Sequence, residues 1–315
     1  MTPAPWFPKR ILISHTLHEG LGDWLTERRP DLEIRARGAG EISGEDVAWA
    51  EVFVGFRPPR EGPWRELRWI HCIGAGVDAF AFRTGLSPSA LLTRTSEDFG
   101  SMIGEYCLAR VLAVTQRLRL LEADQRARLW QPKHPAALRG TRALIVGTGA
   151  VGSGVARALQ AAGCVALGLS KHGAPREPFA AVHPIEHFAE AVRGARWLVL
   201  ACPLTEDTFH LLDRARLEVC DGAYLINVGR GPLVDESALP AALRAGQLSG
   251  CALDVFEREP PPAESPLWEH PAVTISPHIS GLTTIPGAGT GFLECLTEVE
   301  AGRTPELAVD LRQGY

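Results

Sequence analysis

The stretch "ALIVGTGAVGSGVARALQAAG", beginning at Ala143, constrains the fold more than any other part of the chain. Its apolar start reads as a buried strand and its end as a helix, with only the glycine-rich "GTGAVG" between them. Gly147 permits the tight turn, Gly149 lets a pyrophosphate approach the backbone, and Gly152 lets helix and strand pack closely. The helix start presents N–H groups and the positive end of its dipole to an anion. Gly147, Thr148, Gly149, Ala150, Val151 and Gly152 are therefore the candidate dinucleotide-phosphate site. The plainer alternative is a βα turn that binds nothing.

An NAD site of this kind places an acid about twenty residues on, to hold the adenosine ribose. Here that spacing falls at the tip of "CVALGL", where the chain reads Ser170, Lys171, His172. A carboxylate would repel a 2′-phosphate, whereas a hydroxyl, an ammonium and an imidazole attract one. The pattern favours NADP(H), with NAD(H) as the alternative should Lys171 be an ordinary surface lysine.

Short apolar runs alternate with helix-like stretches through most of the 315 residues, which implies parallel sheets between helical layers. "RILIS", "DLEIRAR", "EVFVGF" and "LRWIHCIG" read as strands of a first small α/β domain. "LHEGLGDWLTERRP" is a helix stopped by Pro30, and His71 reads as a packed histidine. Helical spacing then runs from Glu97 to Trp130, suggesting one long helix with a kink at Gly100 or Gly104. "RWLVLACP", "GAYLINVGRG", "CALDVF" and "AVTISPH" are buried strands of a second unit, and "EREPPPAESP" is a surface turn. Gly287, Gly289 and Gly291 precede "FLECLTEVEAG"; a glycine inside a helix costs about 1 kcal/mol against alanine, so a loop or hinge is expected there.

The expected fold is α/β, with two Rossmann-like or flavodoxin-like domains around a cleft. Residues 1–108, completed by 283–315, would form the substrate domain, and 109–282 the dinucleotide-binding domain. The net charge of -5, with no basic run, argues against a nucleic-acid surface. Seven scattered cysteines without a CxxC pair fit a reduced, cytoplasmic setting, and no Cys/His cluster has zinc spacing, so no metal is expected. The N-terminus lacks a signal-peptide pattern, and no apolar run reaches about eighteen residues, so no membrane association is expected.

Three further segments put chemistry at strand ends, where open parallel sheets bind ligands. "INVGRGPLVDESAL" places Arg230 after a strand, "ALDVFEREP" supplies Asp254 and Glu259, and "TISPHIS" supplies His278. Any one of them alone is more often a turn or cap residue.

With "CPLTEDTFHLLD", these motifs closely resemble the D-isomer-specific 2-hydroxyacid dehydrogenase family over nearly the whole chain. "HCIGAGVDAF", "LWQP", "ESPLWEHPAV" and "VDLRQGY" are similar to its glyoxylate/hydroxypyruvate reductase branch. The resemblance implies NADPH-dependent reduction of a small 2-keto acid, glyoxylate or hydroxypyruvate favoured, to the D-2-hydroxy acid. Arg230 would hold the substrate carboxylate and polarise the 2-keto oxygen, as its planar fork of donors suits. His278 would protonate the developing alkoxide, a task fitted to an imidazole, and Glu259 would orient the ring. Pro203, Thr208, Val228 and Asp254 would border the cofactor. The turn carrying Gly74, Ala75 and Gly76 would take the substrate carboxylate on backbone N–H groups, with Arg57 beside it. A homodimer through the long helix is expected from the family. Alternatives are a reductase of larger 2-keto acids and a non-catalytic dinucleotide-sensing protein; a formate-oxidising enzyme would not need the Arg/Glu/His set.

Overall fold

A computed structural model describes residues 4–95 and 97–314, so Met1, Thr2, Pro3, Ser96 and Tyr315, the last residue of "VDLRQGY", lie outside the described residues. The chain divides into two compact units, Met1–Glu97 with Thr283–Tyr315, and Asp98–Leu282. The sequence suggested a boundary at 108/109, inside a helix. The division falls instead at that helix's start, where the Asp98 side chain accepts a hydrogen bond from the Ser101 N–H at 3.1 Å and caps Phe99–Thr115.

Among the described residues, unit 1 holds a five-stranded parallel sheet: β1 (Arg10–Ser14), β2 (Glu33–Arg37), β3 (Val52–Gly55), β4 (Trp69–Cys72) and β5 (Leu91–Arg94), ordered β2-β1-β3-β4-β5. That is the flavodoxin-like order. β3 and β4 are buried at every position, as continuous apolar strands covered on both faces require. His71, in β4, is fully enclosed; its ring nitrogens lie 2.8 Å from the Thr93 hydroxyl and 3.0 Å from that of Thr95.

The C-terminal helix Ile285–Glu300 overturns the expected hinge: Gly287, Gly289 and Gly291 all lie inside it. Each is there because a neighbour occupies the space a side chain would need. A Cβ on Gly289 would come within 2.4 Å of the Trp24 ring, and one on Gly291 within 3.2 Å of Thr95. Thr284 caps the helix by accepting from the Gly287 N–H at 3.0 Å. Phe292 then stacks on Trp69 with ring centroids 5.3 Å apart. Apolar burial at about 25 cal/mol per Å² offsets the helix-propensity cost of the glycines.

Unit 2 holds, among the described residues, seven parallel strands: β6 (Arg142–Val146), β7 (Val165–Ser170), β8 (Ala181–Pro184), β9 (Ala195–Leu200), β10 (Ala223–Asn227), β11 (Leu248–Leu253) and β12 (Val273–Ile275). Their order, β12-β11-β10-β9-β6-β7-β8, is the doubly wound dinucleotide-binding arrangement with one extra strand, and its switch point lies between β6 and β9.

The single long helix is also corrected. It is two helices, Phe99–Thr115 and Leu118–Arg126, broken at Arg117, whose φ of 60° is left-handed and cannot continue a right-handed helix. Gly100 and Gly104 lie within the first helix and serve close packing instead. A Cβ on Gly100 would come 2.9 Å from the Ala150 carbonyl oxygen, and one on Gly104 equally close to that of Gly154. Among the described residues, no helix is long and apolar enough to cross a membrane.

Burial pushes the His71 pKa down to about 3. The unfolded chain binds a proton there below about 6.5 and the folded chain only near 3. Stability therefore falls as pH drops through that window, by up to about 1.4 kcal/mol per unit from this group. Urea midpoints of wild type and His71→Gln should converge with falling pH; parallel curves would show that His71 does not carry this dependence.

Candidate active site

β6 ends in the glycine turn, and each glycine has a distinct reason. Gly147 has φ of 100°, and a Cβ there would meet the Ala201 carbonyl oxygen at 2.6 Å. A Cβ on Gly152 would fall 1.9 Å from the Gly147 carbonyl oxygen. At Gly149 nothing lies within 4 Å of that position, so the turn is open where a ligand would approach. Gly149 is the N-cap of the helix Ala150–Ala161 and supplies no side-chain cap, leaving N–H groups at the helix start for an anion. Thr148 covers Gly168 of β7 from one side: a Cβ on that glycine would come 2.7 Å from its methyl. Val151 begins the helix's packed face, followed by buried Gly152. This open, uncapped cradle fits a dinucleotide pyrophosphate.

At the tip of β7, the Ser170 hydroxyl accepts from the Gly173 N–H at 3.1 Å, and Lys171 and His172 are exposed. An acid does reach this tip, from elsewhere in the chain. Asp207, in the loop after β9, lies 2.8 Å from the Lys171 ammonium, which holds the Asp207 carboxyl below its ordinary range. Sequence spacing from the glycine turn could not find this acid. In the same loop, the Thr208 hydroxyl accepts from the Thr205 N–H and donates to the Pro203 carbonyl, both at 2.7 Å, closing a rigid turn. Val228 is buried, and its N–H bonds the Leu200 carbonyl, so it joins β10 to β9.

The neighbouring strands β10, β11 and β12 carry the other candidates at their carboxyl ends. Asn227 closes β10: its side-chain amide donates to the Arg230 carbonyl at 2.9 Å and accepts from the Gly229 N–H at 3.2 Å. The Arg230 guanidinium donates to the Gly229 carbonyl at 2.8 Å. Gly231 must lack a side chain, because a Cβ would overlap the Phe256 carbonyl carbon at 1.8 Å. That contact presses the Arg230 turn onto the segment that leads to Glu259. Glu236 and Glu257 lock the two segments reciprocally, each carboxylate accepting the other's backbone N–H, at 3.1 and 2.6 Å. Burial raises the Glu236 pKa.

Glu259 and His278 meet: the imidazole Nδ1 lies 3.0 Å from the carboxylate, and both side chains are partly accessible. His278 has φ of 54°, in the left-handed region. Asp254 shows why. It is fully buried, its carbonyl accepts from the His278 N–H at 2.8 Å, and its carboxylate accepts from the N–H groups of Ile279 at 3.1 Å and Ser280 at 2.8 Å. A left-handed residue turns successive N–H groups toward one anion, and here the anion is Asp254. The Ser276 hydroxyl adds a third donor at 2.6 Å. Its carboxylate is thus enclosed by the loop that carries His278.

In unit 1, Arg57 is exposed after β3, and Gly74, Ala75 and Gly76 follow β4, the neighbouring strand. A Cβ on Gly74 would come 2.4 Å from the Phe56 ring, and the Ala75 carbonyl accepts from Arg94 at 3.2 Å. Among the described residues, no group of three or more His, Cys, Asp or Glu is placed to hold a metal.

Comparison with known proteins identifies the family. Residues 108–280 match the model of the D-isomer specific 2-hydroxyacid dehydrogenase, NAD binding domain. A glyoxylate/hydroxypyruvate reductase A of Yersinia enterocolitica is 31% identical over 97% of this chain and 99% of its own. One from Serratia proteamaculans is 32% identical over 92% of this chain and 94% of its own. The crystal structure of a D-isomer specific 2-hydroxyacid dehydrogenase from Xanthobacter autotrophicus Py2, in complex with NADPH and MES, is 32% identical, has a TM-score of 0.85, and is matched over 98% of this chain and all of that one. The chain belongs to the D-isomer specific 2-hydroxyacid dehydrogenase family and is an NAD(P)-dependent oxidoreductase.

Asp254→Ala should leave the Ile279 and Ser280 N–H groups without their acceptor, at about 1–3 kcal/mol for each that stays buried. Hydrogen exchange should then accelerate at residues 276–280. Unchanged protection there would show that the loop holds its shape without the carboxylate.

Proposed function

We propose that this enzyme reduces a small 2-keto acid, glyoxylate or hydroxypyruvate by preference, to the D-2-hydroxy acid with NADPH. The observation that carries the reading is the His278–Glu259 pair, held at 3.0 Å on the same sheet edge as the Arg230 turn. The similarity to glyoxylate/hydroxypyruvate reductases supports the substrate class.

When bound, the nicotinamide supplies a hydride. The open turn from Gly147 to Gly152 would hold the pyrophosphate, Ser170, Lys171 and His172 would serve the ribose end, and Pro203, Thr208 and Val228, after β9 and β10, would border the cofactor. The Arg230 guanidinium pairs with the substrate carboxylate and polarises its keto oxygen. Glu259 accepts a hydrogen bond from the Nδ1–H of His278, which leaves Nε2 as the donating nitrogen. The carbonyl carbon gains the hydride and its oxygen gains the Nε2 proton. His278 is left neutral, still bonded to Glu259 through Nδ1–H.

Initial rates with glyoxylate and hydroxypyruvate should be high with NADPH and low with NADH. Turnover only with larger 2-keto acids would refute the substrate assignment. His278→Ala should lower kcat by about 10²–10⁴, the usual range for loss of a general acid, and Arg230→Ala comparably, with NADPH still bound. Normal turnover in either variant would refute the mechanism. Lys171→Glu should move preference toward NADH; an unchanged ratio would remove Lys171 from the phosphate site.

We also propose a cytoplasmic homodimer. All seven cysteines are free thiols, in keeping with a reducing compartment. The helix Leu118–Arg126 has no buried residue, and Leu118, Leu120, Leu121, Leu129 and Trp130 are exposed along it and just beyond, an apolar surface suited to a second copy. Light scattering should give twice the 34.1 kDa chain mass for wild type and the chain mass for Leu121→Glu/Trp130→Glu. A monomeric wild type would refute the assignment.

A further inference from the structure

The acid proposed above is useful only if its ring is held in one place, yet His278 sits on a loop in a left-handed conformation. The bonds that impose this conformation converge on Asp254 and extend to a residue far off in sequence. Tyr106, on the helix Phe99–Thr115, has its hydroxyl 2.6 Å from the Ser276 hydroxyl. Ser276 has one proton and donates it to Asp254. The tyrosine must therefore be the donor in the first contact, and the chain runs in one direction: Tyr106 to Ser276, Ser276 to Asp254. Asp254 also receives the N–H groups of Ile279 and Ser280, on either side of which the His278 loop is fixed.

We propose that Tyr106 is a positioning residue for His278, acting through Ser276 and Asp254. This rests on the reading of His278 as the proton donor. The tyrosine is itself a fixed point. The Arg110 guanidinium lies 4.6 Å from the centre of its ring. Burial raises its pKa, so it keeps its proton in the neutral range. Its helix is seated on the Ala150–Ala161 helix through the glycine contacts of Gly100, Gly104 and Gly154. One rigid helix thus references both the phosphate turn and the loop that carries the acid. Tyr106 acts here through Ser276 and Asp254 and not as a ligand to substrate, so its removal is expected to act on the chemical step rather than on binding.

Tyr106→Phe and Ser276→Ala should each lower kcat by roughly five- to tenfold, a shift of about 1 kcal/mol in the barrier, with KM and the NADPH dissociation constant within about twofold of wild type. Ser276→Thr, which keeps the hydroxyl, should restore most of kcat. Adding Tyr106→Phe to Ser276→Ala should cost nothing further, because the two act in series. The His278 ring nitrogens, observed by ¹⁵N–¹H correlation on labelled protein without substrate, should shift in both single variants and revert in Ser276→Thr. This spectroscopic arm is independent of turnover, so it decides the positioning claim even if wild type reduces no 2-keto acid tested. Unchanged kcat and unchanged His278 resonances in Tyr106→Phe would overturn the proposal. So would a Tyr106→Phe effect that persists in full in the Ser276→Ala background.

Discussion

The buried carboxylate of Asp254 is the interaction on which the arrangement of this site depends. An ionised group without solvent is tolerated only when hydrogen bonds replace its water. Asp254 meets that demand with the Ser276 hydroxyl and the N–H groups of Ile279 and Ser280. Satisfying the carboxylate bends the backbone into the left-handed turn at His278, a conformation that costs roughly 1–2 kcal/mol in an L-residue. The same bend faces His278 toward Glu259. A requirement of burial and the geometry of an acid–base pair are thus met by one set of bonds.

Glycine plays a second structural part. Where a glycine lies in a helical sequence pattern, the local physics points to weakness, through lost propensity and greater chain freedom. In this protein those glycines are contact points. Gly100, Gly104 and Gly154 let two helices meet backbone to backbone, and Gly289 admits the Trp24 ring against the C-terminal helix. Gly231 brings the Arg230 turn onto the Phe256 backbone in the same way. The Arg230 turn and the paired helices are placed by neighbours that could not approach so closely if a methyl group stood between them.

The tip of β7 shows a balance of charge rather than a simple cationic patch. Lys171 stands where an acid would otherwise bind ribose hydroxyls, yet it meets Asp207 from the next loop. Both side chains are well exposed, so the pair is screened by water and contributes little to stability.

The sequence by itself determined the strand and helix alternation, the glycine turn and the candidates Arg230, Glu259 and His278. These are local signals: apolar periodicity, a turn that needs absent side chains, and polar residues at the ends of buried strands. Tertiary structure decided what depends on residues far apart in the chain. Whether Gly289 is a hinge or a contact depends on where Trp24 packs. The break at Arg117 competes with an apolar pattern that continues past it. Asp207 comes to Lys171, and Tyr106 to Ser276, only because the packing of helices and loops on the sheet brings distant segments together. No spacing rule along the chain records such meetings, since the energy that favours them lies in packing between elements and not within any one of them.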